Sequence, residues 1–225
     1  MWKLDENDLT SAQKSAVTHI DGPLLILAGP GSGKTRVVTH RIAYLLQEGI
    51  PSSQLVALTF TNKAADEMRA RVQQLAPTER LWMSTFHRFC ARLLREYAAQ
   101  VGLTENFTIY DTDDSLRALQ QVITAEHLDL SMFSPRQIAE RISWAKNNLI
   151  GPDTFSPTLG GAVNSVVAEL YPKYQRQLLR SSAVDFDDLL MHVAILLREQ
   201  PEIRQSLDER FRYILVDEYQ DTNQA

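Results

Sequence analysis

Cysteine is nearly absent from this chain: Cys90 is the single one among 225 residues. One cysteine cannot form an internal disulfide, so the fold must depend on a buried core, and a reducing, cytoplasmic setting is the simplest interpretation. Because no Cys/His signature surrounds Cys90, we interpret it as a small buried apolar residue on a helix rather than as a nucleophile.

Long apolar runs and an overall basic charge are also lacking. The longest apolar runs, such as PLLILAG and HVAILL, are far shorter than the ~20 residues that span a bilayer. The N-terminal segment MWKLDENDLT is polar and acidic, unlike a signal peptide. The net charge is −5, although residues 62–100 carry seven Lys or Arg against four Asp or Glu, interleaved with aromatics. Such a region can follow a phosphate backbone, but charge alone favours solvated helix faces.

Strand-like and helix-like patterns alternate in the first hundred residues. The runs PLLILAG, LVALTF and LWMSTF are each followed by a helical pattern, which predicts a parallel sheet flanked by helices. The middle of the chain is mostly helical, and YILVDEY then returns as a buried strand. The sequence therefore predicts an α/β core in residues 1–89 and 184–225, interrupted by an inserted, mainly helical subdomain in residues 90–183.

A glycine-rich segment lies between the first predicted strand and the helix that follows it. It consists of Gly29, Pro30, Gly31, Ser32, Gly33, Lys34 and Thr35. Its glycines allow backbone N–H groups to point at phosphate oxygens, and the helix N-terminus adds a partial positive charge. In such a P-loop the lysine reaches the β- and γ-phosphates and the threonine hydroxyl holds Mg²⁺. The segment therefore predicts a phosphate-binding site.

Two adjacent carboxylates, Asp217 and Glu218, end the last predicted strand. Ligands of open α/β sheets bind at this end of the strands, so Asp217 is predicted to hold Mg²⁺ and Glu218 to polarise the water that attacks the γ-phosphate. The alternative, an exposed acidic turn, is disfavoured by the four apolar or aromatic residues that lead into the pair. The segment NKAAD does not meet the guanine-reading pattern N-K-x-D, which argues weakly against GTP.

Six segments stand out along the chain: LTSAQKSAV, AGPGSGKT, LTFTNKAADEM, STFHRFCARLLR, VDFDDLL and ILVDEYQDTN, which span residues 9–223. In this order they resemble the N-terminal portion of the UvrD/Rep/PcrA-type superfamily 1 DNA helicases. Pro30 departs from the family, which more often has alanine at this variable loop position. The resemblance implies a P-loop RecA-like sheet, ATP and Mg²⁺ as cofactors, and 3′-to-5′ translocation on DNA by the full-length protein.

The resemblance also implies roles around the nucleotide. The catalytic positions correspond to Lys34, Asp217, Glu218 and Gln220. Gln220 would couple the state of the γ-phosphate to a partner domain, although a polar turn residue is the simpler interpretation. Gln13 corresponds to the residue that reads the adenine edge, but it also has capping-box spacing from Thr10. Arg36 corresponds to the side chain that stacks on adenine, and an exposed helix arginine is its alternative.

The segments TFTNKAADEM and STFH resemble the family's contacts with single-stranded DNA. The implied residues are Phe60, Thr61, Asn62, Thr85 and His87. Phe60 would pack against a base, and the others would meet the backbone. Without the family we would interpret Phe60 as a core residue, and Thr61 and Asn62 as caps. His87 has no ligand cluster near it in the sequence, so metal binding is not expected.

Two features of the helical region carry alternatives. Trp144 and Lys146 are candidates for contact with duplex DNA, as in the family's inserted subdomain, or for a half-buried helix face. Three carboxylates, Asp185, Asp187 and Asp188, lie in the segment DFDDLL. We interpret them as an N-cap and an acidic first helical turn rather than as a catalytic group.

The family's motor needs a second RecA-like domain, which completes the adenine sandwich and supplies a transition-state arginine. We therefore expect this chain to be part of a longer helicase, or a truncated product, that lacks the C-terminal helicase domains. By itself it would bind ATP and single-stranded DNA weakly, hydrolyse ATP slowly or not at all, and not unwind DNA. Single-stranded DNA and duplex junctions are the expected DNA partners. Uncovered core surface would favour self-association. The alternative is a standalone P-loop module that binds ATP or DNA.

Overall fold

The computed structural model describes residues 9–77, 81–127, 133–157 and 161–222. These residues form two compact units, and each is described by itself. The first unit comprises the described residues up to Phe86 together with Arg204–Thr222, and the second comprises His87–Ile203. None of the helices in these ranges is long and apolar enough to cross a membrane.

The first unit is built on a three-stranded parallel sheet. In the order β2-β1-β5, its strands are β1 (Leu55–Thr59), β2 (Trp82–Thr85) and β5 (Tyr213–Val216). Every residue of β1 is buried, as expected of a central parallel strand covered on both faces. Ala57 of β1 lies opposite Met83 of β2 and Leu215 of β5.

Helices cover this sheet at the positions that the sequence predicts. They are α1 (Ser11–Thr18), α2 (Lys34–Gln47) and α3 (Asn62–Leu75). Along the chain, α4 (Phe86–Glu96) begins at the last residue before the second unit, and α9 (Pro201–Arg210) begins in the second unit and ends in the first. The core consists of Val38, Ile42, Leu45, Leu55, Ala57, Met68, Val72, Met83 and Leu215. The apolar stripes of α2 and α3 thus meet the buried face of the sheet.

The run PLLILAG does not form the predicted strand. Residues 23–29 have no strand pairing among the described residues, and Leu25 and Leu27 are 67% and 87% exposed. Residues 20–24 and Ile26 line a groove of about 450 Å³ together with residues 212–216, which include β5. A strand is stable only when a neighbouring strand pairs its N–H and C=O groups, and the apolar pattern does not guarantee that neighbour. The prediction of a buried strand here is wrong.

The second unit is mainly helical. Its helices are α5 (Thr112–Ala125), α6 (Pro135–Asn147), α7 (Ala162–Arg180) and α8 (Phe186–Glu199), and two short strands, β3 (Thr108–Ile109) and β4 (Ala183–Val184), pair in parallel. A capping box between Ser134 and Gln137 starts α6, with Pro135 at the first helical position. Cys90 is buried on α4, as predicted, and burial raises the pKa of its thiol to about 12.

Candidate functional site

The glycine-rich loop leads directly into α2. Gly31 and Gly33 have φ values of 74° and 85°, in the left-handed region that side chains disfavour. A Cβ at Gly33 would also lie 3.1 Å from Nε2 of Gln13, whose side chain would have to shift by a few tenths of an ångström. Gly33 gives α2 no side-chain cap, which suits a helix N-terminus that binds an anion.

Lys34 lies against the carbonyl groups at the start of the loop. Its Nζ donates to the carbonyl oxygens of Ala28 and Gly29, at 3.4 Å in each case. The hydroxyl of Ser32 also donates to the Gly29 oxygen, at 2.7 Å, and Pro30 is exposed. The eight-residue pattern G-x-x-x-x-G-K-[ST] ends at Thr35, so its first position falls on Ala28 and not on Gly29, and the segment departs from the pattern at this position. Ala28 contacts the Lys34 ammonium group through its backbone carbonyl.

Thr35 and Asp217 meet although 182 positions separate them in the chain. The hydroxyl of Thr35 donates to Oδ2 of Asp217 at 3.2 Å. The backbone N–H of Asp217 donates to the carbonyl oxygen of Leu58 at 3.0 Å, which extends the β1–β5 pairing by one residue. The Asp217 carboxylate therefore lies at the C-terminal end of the strands. Burial raises the pKa of Asp217 against the hydrogen bond from Thr35, and the charge of Glu218 adds to the rise.

These two oxygen groups fit a magnesium ion. Mg²⁺ prefers oxygen ligands and fills its remaining positions with water and phosphate oxygens, so one hydroxyl and one carboxylate are sufficient protein ligands. The described ranges contain no group of three or more His, Cys, Asp or Glu side chains placed to hold a metal. The arrangement therefore suits Mg²⁺ that arrives with a phosphate ligand, not a closed metal cage.

Glu218 follows Asp217 in a left-handed backbone conformation, with φ 57° and ψ 49°. Such strain at a non-glycine residue is typical of functional sites. Nε2 of Gln220 donates a hydrogen bond to Oε2 of Glu218, within the turn formed by Tyr219–Asp221. The side chains with predicted water-activating and coupling roles are thus in direct contact.

Gln13 uses both ends of its amide. Its Oε1 accepts from the backbone N–H of Thr10 at 2.9 Å, and the backbone N–H of Gln13 donates to the Thr10 hydroxyl at 3.3 Å. The predicted capping box is therefore confirmed. Its Nε2 donates to the carbonyl of Ser32 at 2.9 Å, a contact with the loop that the sequence does not predict. Arg36 is exposed in the first turn of α2.

The first unit also presents residues with predicted DNA roles, just after β1. Phe60 is 36% exposed, and its ring centroid lies 5.3 Å from that of Phe86. Thr61 caps α3 by accepting a first-turn N–H at 3.1 Å, and Asn62 is exposed. Thr85 is only 8% exposed. The surface open to a ligand is therefore carried mainly by Phe60, Thr61 and Asn62.

In the second unit, His87 lies beside an exposed aromatic residue that sequence reasoning missed. Phe186 is 54% exposed, and its ring centroid is 5.5 Å from that of His87. Burial lowers the pKa of His87, and the charge of Asp187 partly offsets this. The sequence signal that could have identified Phe186 is its position as an aromatic residue between Asp185 and Asp187, at the N-terminus of a helix.

Lys146 is fully buried, so the interpretation as a duplex-DNA contact is wrong for this residue. Its Nζ lies 2.6 Å from Asp185 Oδ2 and 2.7 Å from Asp188 Oδ1. Burial opposes the charge of Lys146, but the two carboxylates outweigh it and raise its pKa. Asp185 caps α8 and forms a capping box with Asp188, which confirms the structural interpretation of DFDDLL. Trp144 is 43% exposed, with the Arg141 guanidinium 3.8 Å from its ring centroid.

Comparison with known proteins gives consistent matches. The sequence profile of the UvrD/REP helicase N-terminal domain matches residues 9–225. The ATP-dependent DNA helicase PcrA of Bacillus subtilis (strain 168) is 46% identical over 220 residues, which cover 96% of this chain and 30% of that protein. The protein of the same name from Staphylococcus epidermidis is 47% identical over 221 residues, with 97% and 30% covered. The chain therefore spans about 30% of the length of these relatives.

Proposed function

The chain belongs to the UvrD/REP helicase family, as the N-terminal domain of that family, and from this premise we propose that it is the ATP-binding part of a DNA-dependent motor. The single observation that carries the proposal is the 3.2 Å hydrogen bond between Thr35 and Asp217, which joins the phosphate loop to the end of β5. We further propose residues 1–89 and 184–225 as the RecA-like core, and residues 90–183 as the inserted subdomain.

The proposed chemistry is hydrolysis of ATP by an activated water. Mg²⁺ bound with the nucleotide neutralises charge that develops on the phosphates. The loop amides of Gly29–Gly33 and the ammonium of Lys34 bind the phosphate oxygens, while Thr35 and Asp217 hold the ion. Glu218 orients and polarises the attacking water, and Gln220, which already contacts Glu218, senses the γ-phosphate.

Gln13 and Arg36 are proposed to recognise adenine. An amide offers the paired donor and acceptor that the adenine edge requires, and a guanidinium plane stacks well on a ring. Support for Gln13 is its contact with Ser32 of the loop, which places the amide beside the phosphate-binding segment. Arg36 is supported by its exposed position in the first turn of α2.

Single-stranded DNA is the proposed second ligand. In the first unit, Phe60 offers an exposed face for base stacking, Thr61 and Asn62 offer short polar groups to the backbone, and Thr85 lies at the end of β2. In the second unit, His87 and the exposed Phe186 extend the proposal to a further aromatic pair. We propose duplex junctions as a substrate of a longer motor that contains this chain, and not of this chain alone.

Titration of the purified chain with ATP in the presence of Mg²⁺ tests the nucleotide site. We expect weak binding by calorimetry, because the resemblance places the rest of the ATP pocket in a second domain. Lys34→Ala should abolish this binding, whereas the matched control Lys173→Ala, which changes an ion pair with Glu126 and Glu169, should leave it unchanged. Equal binding by the Lys34→Ala variant would contradict the loop assignment.

Turnover tests the limit that we propose for this chain. ATP hydrolysis should be slow or undetectable, with little stimulation by oligothymidylate, since the family's transition-state arginine comes from the second domain and is worth ~10³–10⁵ in rate in related systems. Strong stimulation by single-stranded DNA would contradict this limit. ATP binding without any affinity for oligothymidylate would instead support a standalone ATP-binding module.

A further inference from the structure

A buried ionic cluster lies where α6, α7 and the start of α8 converge in the second unit. We call it the Lys146 cluster: Lys146, Asp185 and Asp188, with Tyr174 and Gln175. Besides the two ion pairs of Lys146, the Tyr174 hydroxyl donates to Asp185 Oδ2 at 3.0 Å, and Gln175 Nε2 donates to Asp188 Oδ1 at 3.0 Å. Each buried carboxylate therefore has several directional partners.

Asn147, the next residue of α6, contacts a third carboxylate, that of Asp187. Asn147 Nδ2 donates to Asp187 Oδ1 at 2.8 Å. Two consecutive residues of α6 thus contact Asp185, the N-cap of α8, and both acidic residues of its first turn. Among residues 185–188, only Phe186 has an exposed side chain, and it lies against His87.

Phe186 borders a cavity of about 500 Å³ whose walls mix apolar side chains, such as Leu116 and Ile142, with charged ones, such as Arg136 and Glu140. The Phe186 ring is nevertheless 54% exposed. Burial of an exposed aromatic ring is favourable, so an exposed orientation requires a constraint on the backbone. Apolar side chains between α6 and α8 would stabilise the packing at least as well as a buried ion pair, but without fixing direction.

We propose that Lys146, with Asn147, is a positioning residue that holds the first turn of α8 so that the Phe186 ring faces solvent as a stacking platform for a DNA base. This inference rests on the proposed binding of single-stranded DNA. It assigns to Lys146 a role in DNA affinity without contact with DNA.

A double-mutant cycle tests the coupling between the two residues. Binding of fluorescent oligothymidylate at low salt is measured for the wild type, Phe186→Ala, Lys146→Met and the double variant, with Lys173→Met as the matched control. We expect Phe186→Ala to weaken binding about tenfold, as loss of one stacked base would. Lys146→Met should cause a similar loss, Phe186→Ala should add little to it, and Lys173→Met should have no effect.

Thiol labelling gives a readout that does not depend on DNA. Cys90 is buried, so the thiol of a Phe186→Cys variant can be followed almost alone. Labelling should be fast in the wild-type background and several-fold slower when Lys146→Met is added. If Lys146→Met does not fold, Asn147→Ala replaces it in both assays, because it removes only the hydrogen bond to Asp187 among the contacts described above.

The outcomes separate this inference from the proposed function. Independent, additive losses in the cycle, or unchanged labelling of the Phe186→Cys thiol, would overturn the positioning role while leaving DNA binding intact. A wild-type chain with no affinity for oligothymidylate would contradict the proposed DNA binding, and with it the use of Phe186 as a platform.

Discussion

At the scale of single residues, Asp217 connects the candidate site to pH. The residue is 5% exposed, and burial raises the pKa of its carboxyl above the ordinary value of 3.8. Mg²⁺ binds the ionised form, so a proton and the ion compete for the same oxygen atoms. The folded chain holds this proton more tightly than the unfolded chain does. Asp217 by itself therefore stabilises the fold as pH falls through the raised pKa.

We predict that affinity for ATP with Mg²⁺ falls on acidification towards the raised pKa of Asp217, before the fold is lost. Calorimetric titration over a pH series, with circular dichroism on the same samples, measures both effects. Asp217→Asn serves as the control, because it retains the shape and the Thr35 contact but cannot titrate. If the pH profile is the same in this variant, protonation of the nucleotide rather than of Asp217 is responsible.

The sequence allowed the residues of this site to be predicted better than their contacts. Lys34, Thr35, Asp217 and Glu218 were identifiable because phosphate and Mg²⁺ chemistry demands particular groups next to particular elements. The hydrogen bond from Gln220 to Glu218 was not, since it depends on a left-handed turn at a residue that is not glycine. Their catalytic roles stay predictions.

At the scale of elements, the side chain of Gln13 both caps α1 and contacts the glycine-rich loop. Gln13 satisfies the N-terminal N–H group of Thr10 and also donates to Ser32. The helix has only eight residues, so its stability depends strongly on its cap and packing. Thr10 takes part in the cap contacts but not in the contact with Ser32. The two residues thus separate helix stability from loop geometry.

We predict that Gln13→Ala and Thr10→Ala each lower the free energy of unfolding by ~0.5–2 kcal/mol, the range measured for lost caps. Only Gln13→Ala should also weaken ATP binding and reduce any preference for ATP over GTP. Urea unfolding and nucleotide competition measure the two effects. Equal nucleotide affinity in the two variants would mean that Gln13 acts only as a cap.

The helices of this chain were more predictable than its strands. Capping boxes at Thr10, Ser134 and Asp185 are local signals, because donor and acceptor lie three residues apart. A strand depends on a partner that is remote in sequence, and the pattern of residues 23–29 contains no information about that partner. Burial of Lys146 was equally hidden, since its ion-pair partners follow 39 and more positions later.

At the scale of the whole molecule, β5 is an edge strand with no strand partner on its outer side among the described residues. β5 pairs with β1 on one side, and on the other it faces the groove, with Ile214 55% exposed. Unpaired backbone groups and apolar side chains together form a template for another strand. Charged residues on such an edge are a common protection, and Ile214 offers none.

We predict that the chain self-associates as its concentration rises, through this edge. Sedimentation velocity at increasing concentration should show growth of larger species. Ile214→Lys should reduce them, because a charge on the edge opposes pairing, whereas Trp144→Lys in the second unit should not. A wild-type chain that stays strictly monomeric at high concentration would contradict the prediction.

The left-handed backbone at Glu218 sets stability against activity. Glycine would remove a conformational strain of about 1–2 kcal/mol at this position, and asparagine would relieve part of it. Either change would also remove the carboxylate proposed to activate water. A screen that selects only for thermal stability would therefore enrich such substitutions and discard function, whereas selection for turnover would retain a residue that the fold alone disfavours.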